Sequence, residues 1–157
     1  MYRGNEKKET IVRKIFLELG SREGVKMEEV FNRVIPELVD IINLQNCVLF
    51  SVAEDLEHVT IKAGYPESIG CHGIGRRLPA RSEPAFELLL NPREVLEETP
   101  NGVVTQSYVL VVDPRKSELV SESGKNFSAF HNINSILYVP LNVGEEITHF
   151  MTFDALD

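Results

Sequence analysis

The chain has 157 residues, 43% of them hydrophobic and 25% charged, with a formal net charge of −8 at pH 7; this is the composition of one globular domain large enough to bury a core. No apolar run approaches a membrane span and Met1 to Lys8 lack the apolar core of a signal peptide, so a cytoplasmic location without membrane contact is expected. Residues 117–157 carry one Lys against six Asp/Glu, and with no basic stripe for a phosphate backbone, nucleic acid is an unexpected partner.

Asn5 to Leu19 reads as a helix, with Ile11, Val12, Ile15, Phe16 and Leu19 as an apolar stripe and Gly20 at its end. That stripe packs on its own domain or pairs with a second copy. A second helix is predicted over Met27 to Asn43, where Met27, Val30, Phe31, Val34, Leu38, Ile41 and Ile42 keep the helical period and Pro36 removes one backbone bond. Cys47 to Ala53 is a strand buried on both faces. After a turn at Glu54–Glu57, His58 to Ala63 alternates with Val59, Ile61 and Ala63 inward, the pattern of a half-exposed edge strand. Cys47 and Cys71 are too few for a disulfide framework and fit a reducing compartment.

Glu67 to Arg81 reads as a glycine-rich loop. Ser82 caps a short helix from Glu83 to Leu90, with Pro84 in its first turn, and Val95-Leu96 suggest a short strand. Thr99-Pro-Asn-Gly102 is a turn signal, and Val103 to Val112 follows as one strand that Asp113-Pro114 stops. Ser117 to Asn132 is polar, with Phe127 and Phe130 expected to anchor a short helix.

The last stretch, Ser135 to Asp154, reads as a hairpin. Gly144 opens a two-residue loop, because glycine takes positive φ without steric cost. Val143 then pairs with Glu146, Pro140 with His149 and Tyr138 with Met151. Alternation puts Ile136, Tyr138, Pro140, His149, Met151 and Phe153 on one face, and Leu137, Val139, Leu141, Val143 and Phe150 on the other. Both faces are apolar, which predicts a central hairpin covered on both sides.

Ile133-Asn-Ser-Ile-Leu-Tyr-Val-Pro-Leu-Asn-Val-Gly-Glu-Glu-Ile147 resembles the closing hairpin of a GAF domain: a serine, alternating apolars, Val-Pro-Leu, and a glycine-bearing turn. The resemblance implies an α+β fold. An antiparallel sheet of five or six strands would carry N-terminal helices on one face and a loop and short-helix pocket on the other. Residues 1–24 form a helix and linker, and 25–157 the GAF-like domain. A PAS domain, the rival at fold level, leaves the long helix ahead of the first strand unexplained. The chain departs from the family at Thr148-His149, where a glycine is usual, and in stopping at Asp157, where a helix usually follows; an excised piece of a longer signalling protein is the expectation.

The pocket candidates are Phe50, Cys71, His72, Leu78, Phe86, Phe130, Tyr138, His149 and Met151, with Tyr65 as a further lining residue. Bilin-binding relatives attach chromophore to a Cys-His pair just before the final hairpin, whereas Cys71-His72 lies far upstream. A relative that reduces free methionine sulfoxide needs a cysteine between Ser117 and Ser135, and none stands there. No His-x-x-x-His or Cys-x-x-Cys spacing marks a metal. Haem on His149, or a nucleotide phosphate at Gly73-Ile-Gly-Arg-Arg77, are alternative cofactor readings. The expected function is a non-catalytic sensory module that binds a small ligand, forms a homodimer and signals to an output domain. The alternatives are a dimerisation module with a vestigial pocket, and a redox sensor at Cys71, whose thiolate His72, Arg76 and Arg77 would favour.

Overall fold

The computed structural model describes residues 10, 11, 13–16, 18, 26–42, 46–66, 73–90, 97–99, 102–104, 108–143 and 146–156. Its strands are β1 (Asn46–Val52), β2 (His58–Tyr65), β3 (Arg77–Pro79), β4 (Glu97–Thr99), β5 (Gly102–Val104), β6 (Val109–Val112), β7 (Ile133–Val143) and β8 (Glu146–Leu156). They form one sheet in the order β3-β2-β1-β8-β7-β6-β5-β4, antiparallel throughout. The helices are α1 (Met27–Ile42), α2 (Pro84–Leu90) and α3 (Glu122–Phe130), with a 3-10 turn at Ala80–Ser82. The expected α+β class and the central place of the last hairpin hold. Five strands have four residues or more, and the three-residue strands β3, β4 and β5 extend the sheet at its ends.

Helix α1 covers one face. Glu28 and Glu29 stand in its first turn, where negative charge meets the positive end of the helix dipole. The Lys26 carbonyl accepts from Glu29 N and Val30 N, both at 3.1 Å. Val30, Phe31, Val34, Ile35 and Leu38 are buried against Leu49, Ala63, Leu141 and Met151, each worth about 1.5–3 kcal/mol in apolar surface removed from water. Pro36 sits on the exposed side. Residues 10, 11, 13–16 and 18 are helical, and Phe16, fully buried, joins this same core with its ring 6.4 Å from that of Phe31.

The opposite face packs under α2 and the Leu119–Val120 segment ahead of α3. Phe50, Val59, Ala85, Phe86, Leu89, Val109, Val111, Ile136, Tyr138 and Phe150 form its core. Leu110, Leu137 and Val139 are buried with Tyr108 in a smaller cluster, on the α1 side of the sheet by strand alternation.

Three sequence expectations change here. First, β2 is no edge strand, because β3 pairs with it through His58–Pro79, Val59–Leu78 and Thr60–Arg77. Second, Val103 to Val112 is not one strand: β5 and β6 are antiparallel neighbours, with Gly102 paired to Val111 and Val104 to Val109. The Thr99–Gly102 turn does close a hairpin, with those two residues paired. Third, Phe127 and Phe130 anchor nothing: they are 50% and 82% exposed. Helix α3 buries Ser128 instead, because Leu119, Val120 and Ile133 already occupy the core beside it.

Three register shifts decide which side chains meet on each face, one of them leaving Asn134 over so that Ile133 and Ile136 share a core. Val143 pairs with Glu146 as expected, but Asn142 then pairs with Ile147 and Leu141 with His149, leaving Thr148 as an extra residue. Beyond it Pro140 faces Phe150, Val139 faces Met151 and Tyr138 faces Thr152. One inserted residue turns every later side chain to the other face. Phe150 therefore joins Ile136 and Tyr138, while Met151 joins α1. In the same way Leu49 pairs with Ala63 and Phe50 with Ile61, leaving Lys62 over. Val59 and Ile61 pack on the α2 side and Ala63 on the α1 side.

Candidate functional site

The face under α2 grades from aromatic to polar. At one level Phe50 of β1 and Phe150 of β8 are direct partners, their rings stacked at 4.7 Å and 10°. Phe86 reaches down from α2 to lie 5.5 Å from Phe50, 5.1 Å from Phe150 and 6.1 Å from Tyr138. One level along, Val48, Thr152 and Tyr138 stand in a row across β1, β8 and β7; at the next level Asn46, Asp154 and Ile136 do so. Thr152 is 7% exposed and Asn46 only 2%. Among the described residues the Asn46 Oδ1 has no hydrogen-bond partner, which is costly for a buried acceptor.

The titration behaviour follows from this burial. Desolvation lifts the Asp154 carboxyl to about 7, and no hydrogen bond or cation among the described residues offsets it. Burial also holds the Tyr138 phenol well above its ordinary value, with the Glu83 and Asp154 carboxylates adding to the effect. On the α1 side, burial raises the Cys47 thiol, with Asp154 contributing second; the sulfur stays protonated and unreactive.

Glu83 ties the two short helices together. Its carboxylate accepts hydrogen bonds from Ser121 N (2.9 Å) and from Ser121 Oγ. Ser121 is the N-cap of α3, and its Oγ accepts from Gly124 N at 3.1 Å. Gly124 is required by space: a Cβ there would come within 2.6 Å of Val120 Cγ1 and 2.9 Å of Glu83 Oε1.

The structure brings together Phe50, Leu78, Phe86 and Tyr138 of the pocket candidates. It separates three others. His149 and Met151 lie on the α1 side because of the Thr148 bulge, and Phe130 faces water for the reason given above. Tyr65 likewise packs on the α1 side. Cys71 and His72 lie outside the described residues. Burial lowers the His149 pKa, with Glu28 raising it and Lys62 lowering it further, and its Nδ1 lies 3.0 Å from Thr148 Oγ1. A haem on the α2 side would not meet this ring.

Sequence reasoning missed Asn46, Thr152 and Asp154. Their signal was available: polar residues at inward positions of otherwise apolar strands. It missed a second group as well. In the β1–β2 turn, Asp55, Glu57 and His58 bring ligand atoms within 4.8 Å of one another, a mixed carboxylate and imidazole set that a search for His or Cys spacing does not see. Asp55 and Glu57 are exposed, and Asp55 Oδ1 already accepts from Glu57 N at 2.8 Å. That backbone donor is the main reason the Asp55 pKa is lowered. A surface cavity of about 250 Å³ is bordered by Leu56, Glu57, Ala80, Arg81, Glu87 and Leu90. It is separate from the graded sheet face, none of whose strand residues borders it.

No family model matches the sequence, and comparison with curated protein sequences finds no relative. Solved structures do match. The GAF domain/HD domain protein from Geobacter sulfurreducens superposes with a TM-score of 0.62 at 14% identity, covering 82% of this chain and 74% of that one. The GAF domain of a two-component sensor histidine kinase from Bacillus halodurans gives 0.58 at 13% identity, covering 83% and 76%. The phycocyanobilin-bound GAF domain of a cyanobacterial phytochrome gives 0.58 at 14% identity, covering 95% and 80%. At such identities the likeness speaks for the fold, and it agrees with the closing hairpin, the sheet order and the helix placement described above: the chain has the GAF fold.

Proposed function

We propose that this chain is a non-catalytic sensory or regulatory module that binds a small molecule on the α2 side of its sheet and passes the resulting bias to an output domain. The observation that carries the reading is the polar end of that face. Asn46, Thr152 and Asp154 hold inward positions in the middle of the sheet, where packing alone favours apolar side chains. GAF structures from a sensor kinase and from a bilin-bound phytochrome share the fold, which agrees with a sensory role. No helix among the described residues is long and apolar enough to cross a membrane. The N-terminal helical residues, which dock through Phe16 while Ile11 stays 42% exposed, are the natural relay and the natural contact in a homodimer.

A melting-temperature screen against nucleotides, haem, bilins and small metabolites tests the binding role. A ligand at 100 times its Kd stabilises by about 2.7 kcal/mol, and the gain should shrink in Tyr138→Phe. A flat response to every compound overturns the reading.

The exposed Phe127 and Phe130 favour a second reading, an interaction module whose pocket is vestigial. Mass in solution, measured for the whole chain and for Phe130→Ser, separates the two, since only an interaction surface on α3 loses its partner in that variant.

A further inference from the structure

We propose that Asp154 and Asn46 together receive the N–H groups of a cationic ligand, an amidinium or primary ammonium carried on an apolar body. The inference rests on the ligand-binding reading of this face and gives that ligand a chemical class.

Asn46 and Asp154 are direct partners across β1 and β8 on the same face, where opposite Cβ atoms stand about 4.5–5.5 Å apart. Both present acceptors. Among the described residues the Asn46 Oδ1 is buried without a partner, and desolvation is what raises the Asp154 carboxyl. The other ionisable groups that act here are Glu83, from the residue ahead of α2, the Tyr138 phenol beside Thr152 on β7, and the Cys47 thiol behind the sheet. Glu83 adds negative charge, and the phenol and thiol stay neutral. No lysine or arginine among the described residues acts on Asp154. A carboxylate held away from water with no cation is unfavourable, so in the free protein Asp154 holds a proton. An amidinium carries parallel N–H groups that match two such acceptors, and Val48 and the Tyr138 ring, one level along the same face, suit its apolar body. Binding releases the Asp154 proton to solvent as the ligand's positive charge replaces it.

Benzamidine, charged throughout the range, is the probe, with benzyl alcohol as its neutral counterpart. Titration calorimetry at pH 6 and pH 8 should show affinity rising about ninefold, as the ionised fraction of a carboxyl with a midpoint of about 7 goes from about a tenth to about nine tenths. At pH 6, calorimetry in buffers of different ionisation enthalpy should read close to one proton released per benzamidine bound. The near-isosteric Asp154→Asn should lose the pH dependence and bind at least about tenfold more weakly; its melting curve confirms that it folds. Equal affinity at the two pH values, undiminished binding to Asp154→Asn, or benzyl alcohol binding as tightly as benzamidine would each overturn the proposal. If benzamidine fails while a compound from the broader screen binds in a Tyr138-dependent manner, the cationic class falls and the ligand-binding face stands.

Discussion

The two faces of the sheet are built to different ends. On the α1 side, Leu49, Leu141, Met151, Phe31, Ile35 and Phe16 close a dry core, all at 0–1% exposure. The α2 side is equally well buried around Phe50, Phe86 and Phe150, yet two strand positions along from that cluster it places Thr152 inward, and four positions along Asn46 and Asp154. Apart from the half-buried His149, one face fills its inward positions with apolar side chains. The other gives up stability at a few positions to keep polar groups out of water, a pattern expected of binding sites rather than of structural cores.

Substitution should expose the contrast. The largest effect belongs to the dry face: Leu49→Ala, at a site with no exposure, should destabilise by about 2–5 kcal/mol in urea unfolding. A cost under about 1 kcal/mol would mean that this core is looser than its burial implies.

Asp154→Asn should act in the opposite direction. The folded-state pKa of about 7 lies above the ordinary carboxylate value, so the folded chain holds a proton that the unfolded chain has lost. Stability linked to Asp154 is complete below about pH 4 and is lost as pH rises through about 7. Replacing it with Asn should therefore stabilise by about 2–4 kcal/mol at pH 8 and hardly at all at pH 4. His149, on the α1 side, titrates in the other sense. Its lowered pKa means that stability is lost as pH falls through the imidazole range, and His149→Leu should flatten that acid limb. Full unfolding curves from pH 4 to pH 8 for the two variants and the parent separate the two faces. An Asp154→Asn protein that loses stability at pH 8 would count against an uncompensated carboxyl.

The smallest effect should come from Phe130→Ser. At 82% exposure it should change stability by no more than about 0.5 kcal/mol. A larger loss would show that the ring is covered in solution by another molecule of the chain or by a partner, sharpening the second functional reading.

The hairpin was legible because its two apolar runs flank a glycine turn, and local signals of that kind need no tertiary information. Its facing was not. Alternation reports a face only when one side is polar, and here both sides of β7 and β8 are apolar, so nothing in the sequence marks Thr148 as the extra residue. Lys62 hid in the same way, its outward charge fitting either register. The misplacement of His149 and Met151 follows directly from Thr148. Phe130 failed for another reason: an aromatic side chain is usually but not necessarily inside, and burial is settled by which neighbours reach the core first. Asp154 was legible in principle, as a carboxylate in line with Phe150 and Thr152, but only once the register had fixed which face it shares.

The central claim is that Asp154 is a partly buried carboxyl on the α2 face, desolvated without a compensating charge among the described residues. Its side-chain ¹³C shift, followed by NMR across the pH range in the ligand-free chain, tests this most directly. The account predicts a midpoint near 7; a midpoint in the ordinary carboxylate range of about 3–4 would show that the group is solvated or paired, and would contradict the claim.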